Sequence, residues 1–408
     1  MKLKHTPTQD LKPNLLLRFL VKRSDRNGFT LLELLIAMVI SSIVVSGLLS
    51  LVVNILQTNQ RDASRSDTQR DMQMAMDYIV RDVREAAYVY GVTQATNADG
   101  TLGNKESCLH SYGDALDRGR NSRCTGLLSF LPPFLTSPNN IPVLAFWKPE
   151  PLPSGMRTSC RANSQNVGKL LGETGFNADL NAVPCVSQRM YTLVVYSLNT
   201  QPAGTFSWKG KARITRYQLP NFTEIAVVGP RAVNPGWAAP IAKDKRPLTW
   251  PVGDTSTATN INVQNRVLDI GQDPTLNVVL TDFVDFKTDI ISTTYVPKSS
   301  TTGGHCPSGF DSPNGFSTGA RFNSAFYVCV RSGSLTSAPG TNTATAAAIE
   351  AAAAAGQGLN PEVHIVLRGN AAGRGGIPTL TGEVPFQMET RVLSRGAFGK
   401  FSNNDLTN

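Results

Sequence analysis

Hydrophobic and polar positions along this chain follow three successive patterns. From Leu34 to Val53 there is not one charged residue. As a helix, that stretch spans about 30 Å, the thickness of a bilayer's hydrocarbon core. From residue 57 to 87 the apolar positions thin to Met72, Met76, Ile79, Val80, Val83 and Ala87. This is the i, i+3, i+4 rhythm of a helix with one buried face. Between them lie Arg61, Asp62, Arg65, Asp67, Arg70, Asp71, Asp77, Arg81, Asp82, Arg84 and Glu85. Their alternating signs read as a solvated face with i, i+4 pairs. Neither Pro nor Gly interrupts Leu48 to Tyr90, and Gly91 is a natural stop. The pattern predicts one helix from Phe29 to about Tyr90, on the order of 90 Å long.

The third pattern is a series of strand-like runs. Residues 189–408 hold β-branched and aromatic runs at Met190–Leu198, Ala212–Leu219, Asn277–Phe286, Ala325–Val330, Val363–Arg368 and Pro385–Leu393. Consecutive strands without intervening helices predict an antiparallel sheet. Residues 91–188 are irregular, rich in Gly, Ser, Asn and Pro, and read as a loop-rich lobe holding four of the cysteines. The alanine-rich run 343–355 reads as a short surface helix or a flexible insertion. The expected organisation is residues 1–28 as a leader, 29–56 as the membrane-spanning part of the helix, 57–90 as its amphipathic continuation, 91–188 as the lobe and 189–408 as the β-sheet domain. The fold class is α+β.

Charge sharpens this picture. The first 28 residues carry seven basic side chains against two acidic ones, so +5 of the chain's net +9 resides there. That excess keeps the N-terminal end in the cytoplasm and everything after the span outside. The remainder is only mildly basic, and nucleic acid is not directly indicated. The cysteines agree with an oxidising compartment: Cys108, Cys124, Cys160, Cys185, Cys306 and Cys329 all follow the span. Six allow 15 pairings, and sequence neighbours (108 with 124, 160 with 185, 306 with 329) are the simplest set. No C-x-x-C occurs and His305-Cys306 has no second pair nearby, so no metal and no cofactor is expected.

Motifs of catalysis are weak. Gly315-Phe316-Ser317-Thr318-Gly319 lacks the strand before and the helix after that a nucleophile elbow requires. His5, His110, His305 and His364 are scattered. Gly369–Gly376 fits neither G-x-G-x-x-G nor a P-loop and reads as a turn between strands. Asp282, Asp285 and Asp289 lack EF-hand spacing and read as solvated carboxylates. The chain is not expected to be an enzyme.

The informative residue is Glu33. An ionised carboxylate one turn inside an apolar span costs at least ~2.5 kcal/mol and needs a cation. If the chain were cut after Gly28, the new amine on Phe29 would lie four residues from it. A secretory signal peptide has a shorter apolar region and a small-residue cleavage site. A plain anchor explains the span but not Gly28-Phe29 beside Glu33.

Gly28-Phe29-Thr30-Leu31-Leu32-Glu33 followed by an apolar helix resembles the class III signal of type IV pilins and type II secretion pseudopilins. The resemblance implies that a prepilin peptidase cuts after Gly28 and N-methylates Phe29. It also implies that Glu33 meets the Phe29 amine of a neighbouring subunit during assembly. The leader is long for that family, which a misassigned start codon would explain. The strand order after residue 189 is similar to PilW-type minor pilins and the related J-type minor pseudopilins, although Arg395 is followed by Gly396 where that group often has Arg-Asn. It implies a pilin-like fold, other minor and major pilins and an inner-membrane assembly platform as partners, and a tip or priming role. The protein would begin as an inner-membrane single-pass precursor with a periplasmic globular domain and end at the pilus tip on the cell surface. A minor pseudopilin of type II secretion and a membrane-anchored periplasmic adhesin or enzyme are the alternatives.

Overall fold

A computed structural model describes residues 30–96 and 102–107, parts of 109–166, then 183–200, 208–222, 277–286, parts of 306–313, 325–331, 362–377 and 385–394. Two compact units comprise residues 1–59 and 60–408. A single helix, α1 (Leu31–Glu85), contributes to both. In the first unit every described residue of α1 is exposed, including Leu31 through Leu56. Among the described residues α1 is the one helix long and apolar enough to cross a membrane.

In the second unit α1 buries Ser64, Thr68, Met72, Ala75, Met76, Ile79, Asp82 and Val83, at the helical spacing the sequence prescribes. The helix ends earlier than expected. Residues 88–90 read Tyr-Val-Tyr, and Tyr88–Val89 form a short strand β1 instead. Its partner is β4 (Asn140–Pro151), in register Tyr88↔Trp147 and Val89↔Phe146. Backbone bonds from Ala87 N–H to the Trp147 carbonyl (2.7 Å) and from Tyr90 N–H to the Ala145 carbonyl (2.9 Å) complete the switch from helix to strand.

The remaining strands are β2 (Val92–Thr96), β3 (Leu102–Ser107), β5 (Arg189–Asn199), β6 (Ala212–Pro220), β7 (Asn277–Val284), β8 (Phe310–Asp311), β9 (Phe326–Arg331), β10 (Glu362–Asn370) and β11 (Pro385–Leu393). Strands β2 and β3 form a separate two-stranded sheet. The others build one nine-stranded sheet in the order β1-β4-β5-β6-β7-β10-β9-β8, with β11 also paired to β10. All its pairings are antiparallel. The α+β, pilin-like arrangement expected from the sequence is the arrangement observed.

The loop-rich reading of 91–188 needs correction at β4. This twelve-residue strand lies inside that stretch and occupies the sheet between β1 and β5. Three prolines disguised it, because proline removes a ladder donor. Pro142 sits beside a register shift, and Pro149 and Pro151 lie at the far end of the strand. A short helix α2 (Ser154–Ala162) follows it.

Both faces of the sheet are covered near its centre. On one face Met72, Met76, Ile79 and Val83 of α1 pack with Val143, Phe146, Val194, Tyr196, Ile214, Ile365 and Leu367. On the other, Ala145, Trp147, Leu193, Val195, Tyr217 and Leu219 pack with Leu109, Leu127, Leu131 and Leu135. Burial on both sides explains why β4 and β5 carry near-continuous apolar runs rather than strict alternation. Trp147 donates its indole N–H to the buried Tyr90 hydroxyl at 3.0 Å, so its polar edge is satisfied.

Among the described residues two disulfides staple this domain. Cys160 of α2 bonds Cys185, and Cys306 bonds Cys329 of β9. Cys306 is thereby removed from metal chemistry. Cys108 and Cys124 lie outside the described residues. Replacing Cys306 and Cys329 together by serine is expected to cost about 2–4 kcal/mol, since the loop they close would be released in the unfolded chain. Urea denaturation of the purified protein, with and without the substitutions, measures that loss.

Candidate functional site

The first turn of α1 is built around Glu33. Thr30 immediately precedes the helix, and its hydroxyl oxygen accepts a hydrogen bond from the Glu33 N–H at 3.2 Å. The Thr30 N–H donates to Glu33 Oε2 at 3.2 Å, and the Thr30 hydroxyl also donates to Oε2 at 3.2 Å. This reciprocal pair is a capping box, which satisfies orphan amides at the helix start. It also places an acid at the positive pole of the helix. The signal lay in the sequence as Thr30-Leu31-Leu32-Glu33, the T-x-x-E spacing, and the sequence reading passed over Thr30.

Chemically, the box holds Glu33 in one orientation. Its Oε2 is occupied by Thr30, while Oε1 has no hydrogen bond to a described residue. A cut after Gly28 breaks the bond before Phe29 and leaves the Thr30 amide intact, so the box is compatible with processing. Gly28 and Phe29 themselves lie outside the described residues.

A second polar constellation is buried where α1 meets the sheet. Asp82, expected on the solvated face, is 3% exposed. Its Oδ1 accepts from Lys148 Nζ of β4 at 2.7 Å. Its Oδ2 accepts from Arg216 Nε of β6 at 2.8 Å and from the Tyr196 hydroxyl of β5 at 2.7 Å. Lys148 also pairs with Glu85 at 3.1 Å and lies 3.6 Å from Glu150. Burial pushes the Asp82 carboxyl up, but the Arg216 charge and hydrogen bonds from Lys148 and Tyr196 outweigh it, leaving the group below its ordinary value. Burial lowers Lys148, and its Asp82 and Glu85 partners more than restore it. The cluster fixes the rotation and register of α1 on three strands at once.

The other residues singled out from sequence have structural settings. Asp285 is 3% exposed rather than solvated: it pairs with Arg368 at 2.9 Å and accepts from the Asn370 amide at 2.9 Å. Asp282 is likewise engaged, accepting backbone N–H bonds from Lys209 (3.1 Å) and Gly210 (3.0 Å). Both correct the reading of free surface carboxylates; Asp289 lies outside the described residues. His364 sits in β10 and is mostly buried, with Glu389 at 3.7 Å. The Gly315–Gly319 motif, the run 343–355, His5, His110 and His305 lie outside the described residues. Among the described residues no group of three His, Cys, Asp or Glu side chains is placed to hold a metal ion.

Residues 23–49 match the family model of the prokaryotic N-terminal methylation motif. No curated protein and no solved structure matches the chain. The matched segment takes in Gly28, Phe29, the capping box and the start of the apolar helix. It supports a type IV pilin or pseudopilin in general, processed by a prepilin peptidase and assembled with other pilins. The apolar first part of α1 is consistent with single-pass anchoring.

Proposed function

We propose that this chain is a PilW-like minor pilin, a non-catalytic subunit that primes or caps the tip of a type IV pilus. The observation that carries the reading is the combination of the methylation motif at 23–49 with Glu33 held by Thr30 at the mouth of an uninterrupted apolar helix. The globular domain is also large for a shaft subunit, with a nine-stranded sheet and two disulfides.

In this reading the precursor waits as a single-pass inner-membrane protein with its globular domain in the periplasm. Cleavage after Gly28 creates the Phe29 amine, which is then methylated. The capping box presents Glu33 with Oε1 toward a cation, and the Phe29 amine of a neighbouring subunit supplies it. In a low-dielectric bundle such a pair is directional, because an unpaired acid there is costly. The pairing sets the stagger at which the helix leaves the bilayer. The partners are the prepilin peptidase, other minor and major pilins and the inner-membrane assembly platform, and the end point is the pilus tip.

The test is a strain lacking the gene, in which sheared surface pili are counted and secreted proteins are profiled in the same cultures. Loss of pili with normal secretion is expected, restored by the wild-type gene. Glu33→Ala is expected to be processed normally yet to restore less than about a tenth of the pili, a loss of at least ~1.4 kcal/mol in assembly. Normal pili with a collapsed secretome would reassign the protein to a type II secretion pseudopilus. No change in either would point to an anchored adhesin or enzyme.

A further inference from the structure

The stripe that α1 buries differs in chemistry along its length. From Met72 to Val83 it is apolar apart from Asp82, whose carboxylate is held by three strands. From Gln60 to Asp71 the buried positions are Ser64 and Thr68. There the helix meets the glycine-rich turn between β10 and β11. Ser64 donates its hydroxyl to the Gly375 carbonyl at 2.7 Å, and Arg61 Nε donates to the Gly376 carbonyl at 3.1 Å. Arg374 forms an ion pair with Asp71 while its guanidinium lies over the Phe283 ring, 4.6 Å from the centroid.

The glycines are what allow this approach. Gly376 has φ +79°, and a Cβ there would lie 3.1 Å from Gln60 Cγ. A cavity of about 620 Å³, lined by Asp71, Met74, Ala75, Tyr78, Phe283 and Arg374 among others, adjoins the same contact and the first turns of the apolar segment, whereas Ile79 and Val83 lie in the close-packed core beyond it. Polar contacts beside an open cavity hold far less firmly than a close-packed apolar seam, since hydrogen bonds to water replace them at little net cost.

We propose that the β10–β11 turn is a releasable clasp on residues 60–71 of α1. The clasp opens by exchanging its two carbonyl bonds and one ion pair for water, while residues 72–86 stay seated. Opening shortens the length of helix that the domain holds by about three turns. Locally low stability of this kind is how folded domains confine motion to one segment. The clasp belongs to the globular domain and does not depend on the chain entering a fibre.

The experiment is site-resolved thiol labelling of the full chain in detergent, read by peptide mass spectrometry. Two probes are placed at buried positions, Thr68→Cys under the clasped segment and Val83→Cys in the apolar segment away from the cavity, both 0% exposed. The Thr68→Cys probe is expected to react at least about tenfold faster than the Val83→Cys probe. Adding Arg374→Ala is expected to accelerate the first about tenfold and leave the second within about twofold, and Ser64→Ala to give a smaller change of the same kind. Equal rates at the two probes would overturn the proposal. So would acceleration of both together in either variant, which would mean the domain opens as a whole, or a change below about twofold at Thr68→Cys in both.

Discussion

Asp82→Ala is expected to destabilise the globular domain by about 3–5 kcal/mol, the cost of removing one partner from a buried ion pair. The alanine would leave Lys148 and Arg216 facing each other across a desolvated gap, and the Tyr196 hydroxyl without its acceptor. The midpoint of urea unfolding, followed by the fluorescence of the buried Trp147, is the measurement. A change below about 1 kcal/mol would mean the cluster is solvated in solution. Replacing Asp82 by leucine together with Lys148 and Arg216 by methionine and Tyr196 by phenylalanine should recover part of the loss, because an apolar group of similar volume has no buried charge or hydroxyl to desolvate at that point.

The pH dependence follows with a definite sign. Asp82 is held below its ordinary value of 3.8 in the folded protein. Its contribution is therefore full above that value and is lost as pH falls through the depressed folded value. Lys148 is held above 10.5, so its contribution is full below that value and lost as pH rises through the raised one. Stability attributable to the cluster should be flat between these limits and fall on acidification below about pH 4, and that acid limb should shrink in Asp82→Asn. An unchanged limb would assign it to other carboxylates.

The second large effect is all-or-none. Gly28→Glu is expected to leave the precursor uncut, because the proposed cleavage site, inside the matched segment 23–49, is the bond after Gly28. Mass spectrometry of the membrane fraction should find the full 408-residue chain with residues 1–28 still attached and Phe29 unmethylated. Wild type should yield a chain that begins at Phe29. A mature N-terminus from Gly28→Glu would sink the cleavage assignment, whereas an intact wild-type precursor would favour an ordinary anchor.

Legibility in the sequence tracked how local each determinant was. Strands β5, β6, β7, β10 and β11 could be read from runs of β-branched residues, and the amphipathic stripe of α1 from its period. Asp82 could not be told from Asp77 or Asp71, since what distinguishes it is Lys148, Tyr196 and Arg216, 66 to 134 residues away. Strand β4 was hidden because its prolines imitate a loop, although its Ile141–Trp147 run held the contrary signal. The glycine turn 369–376 was recognised as a turn, but its hold on Ser64 and Arg61 depends on a helix some 310 residues earlier. At the candidate site the pattern was local, so Gly28, Phe29 and Glu33 could be named at once. The Thr30 box was equally local and was overlooked.

The stitching of the domain's two ends has a consequence for timing. Ser394, just past β11, donates its hydroxyl to the Ala86 carbonyl at the end of α1, across 308 residues. Val363, Ile365 and Leu367 of β10 belong to the same core as Met72 and Ile79. The seat for the helix is therefore complete only when the last strands have been made. Until then Met72, Met76, Ile79 and Val83 lack much of their cover. A nascent chain stalled before residue 362 presents a sticky helix, a substrate for chaperones and proteases. Premature stop codons ahead of β11 should accordingly remove the protein rather than yield a shortened subunit.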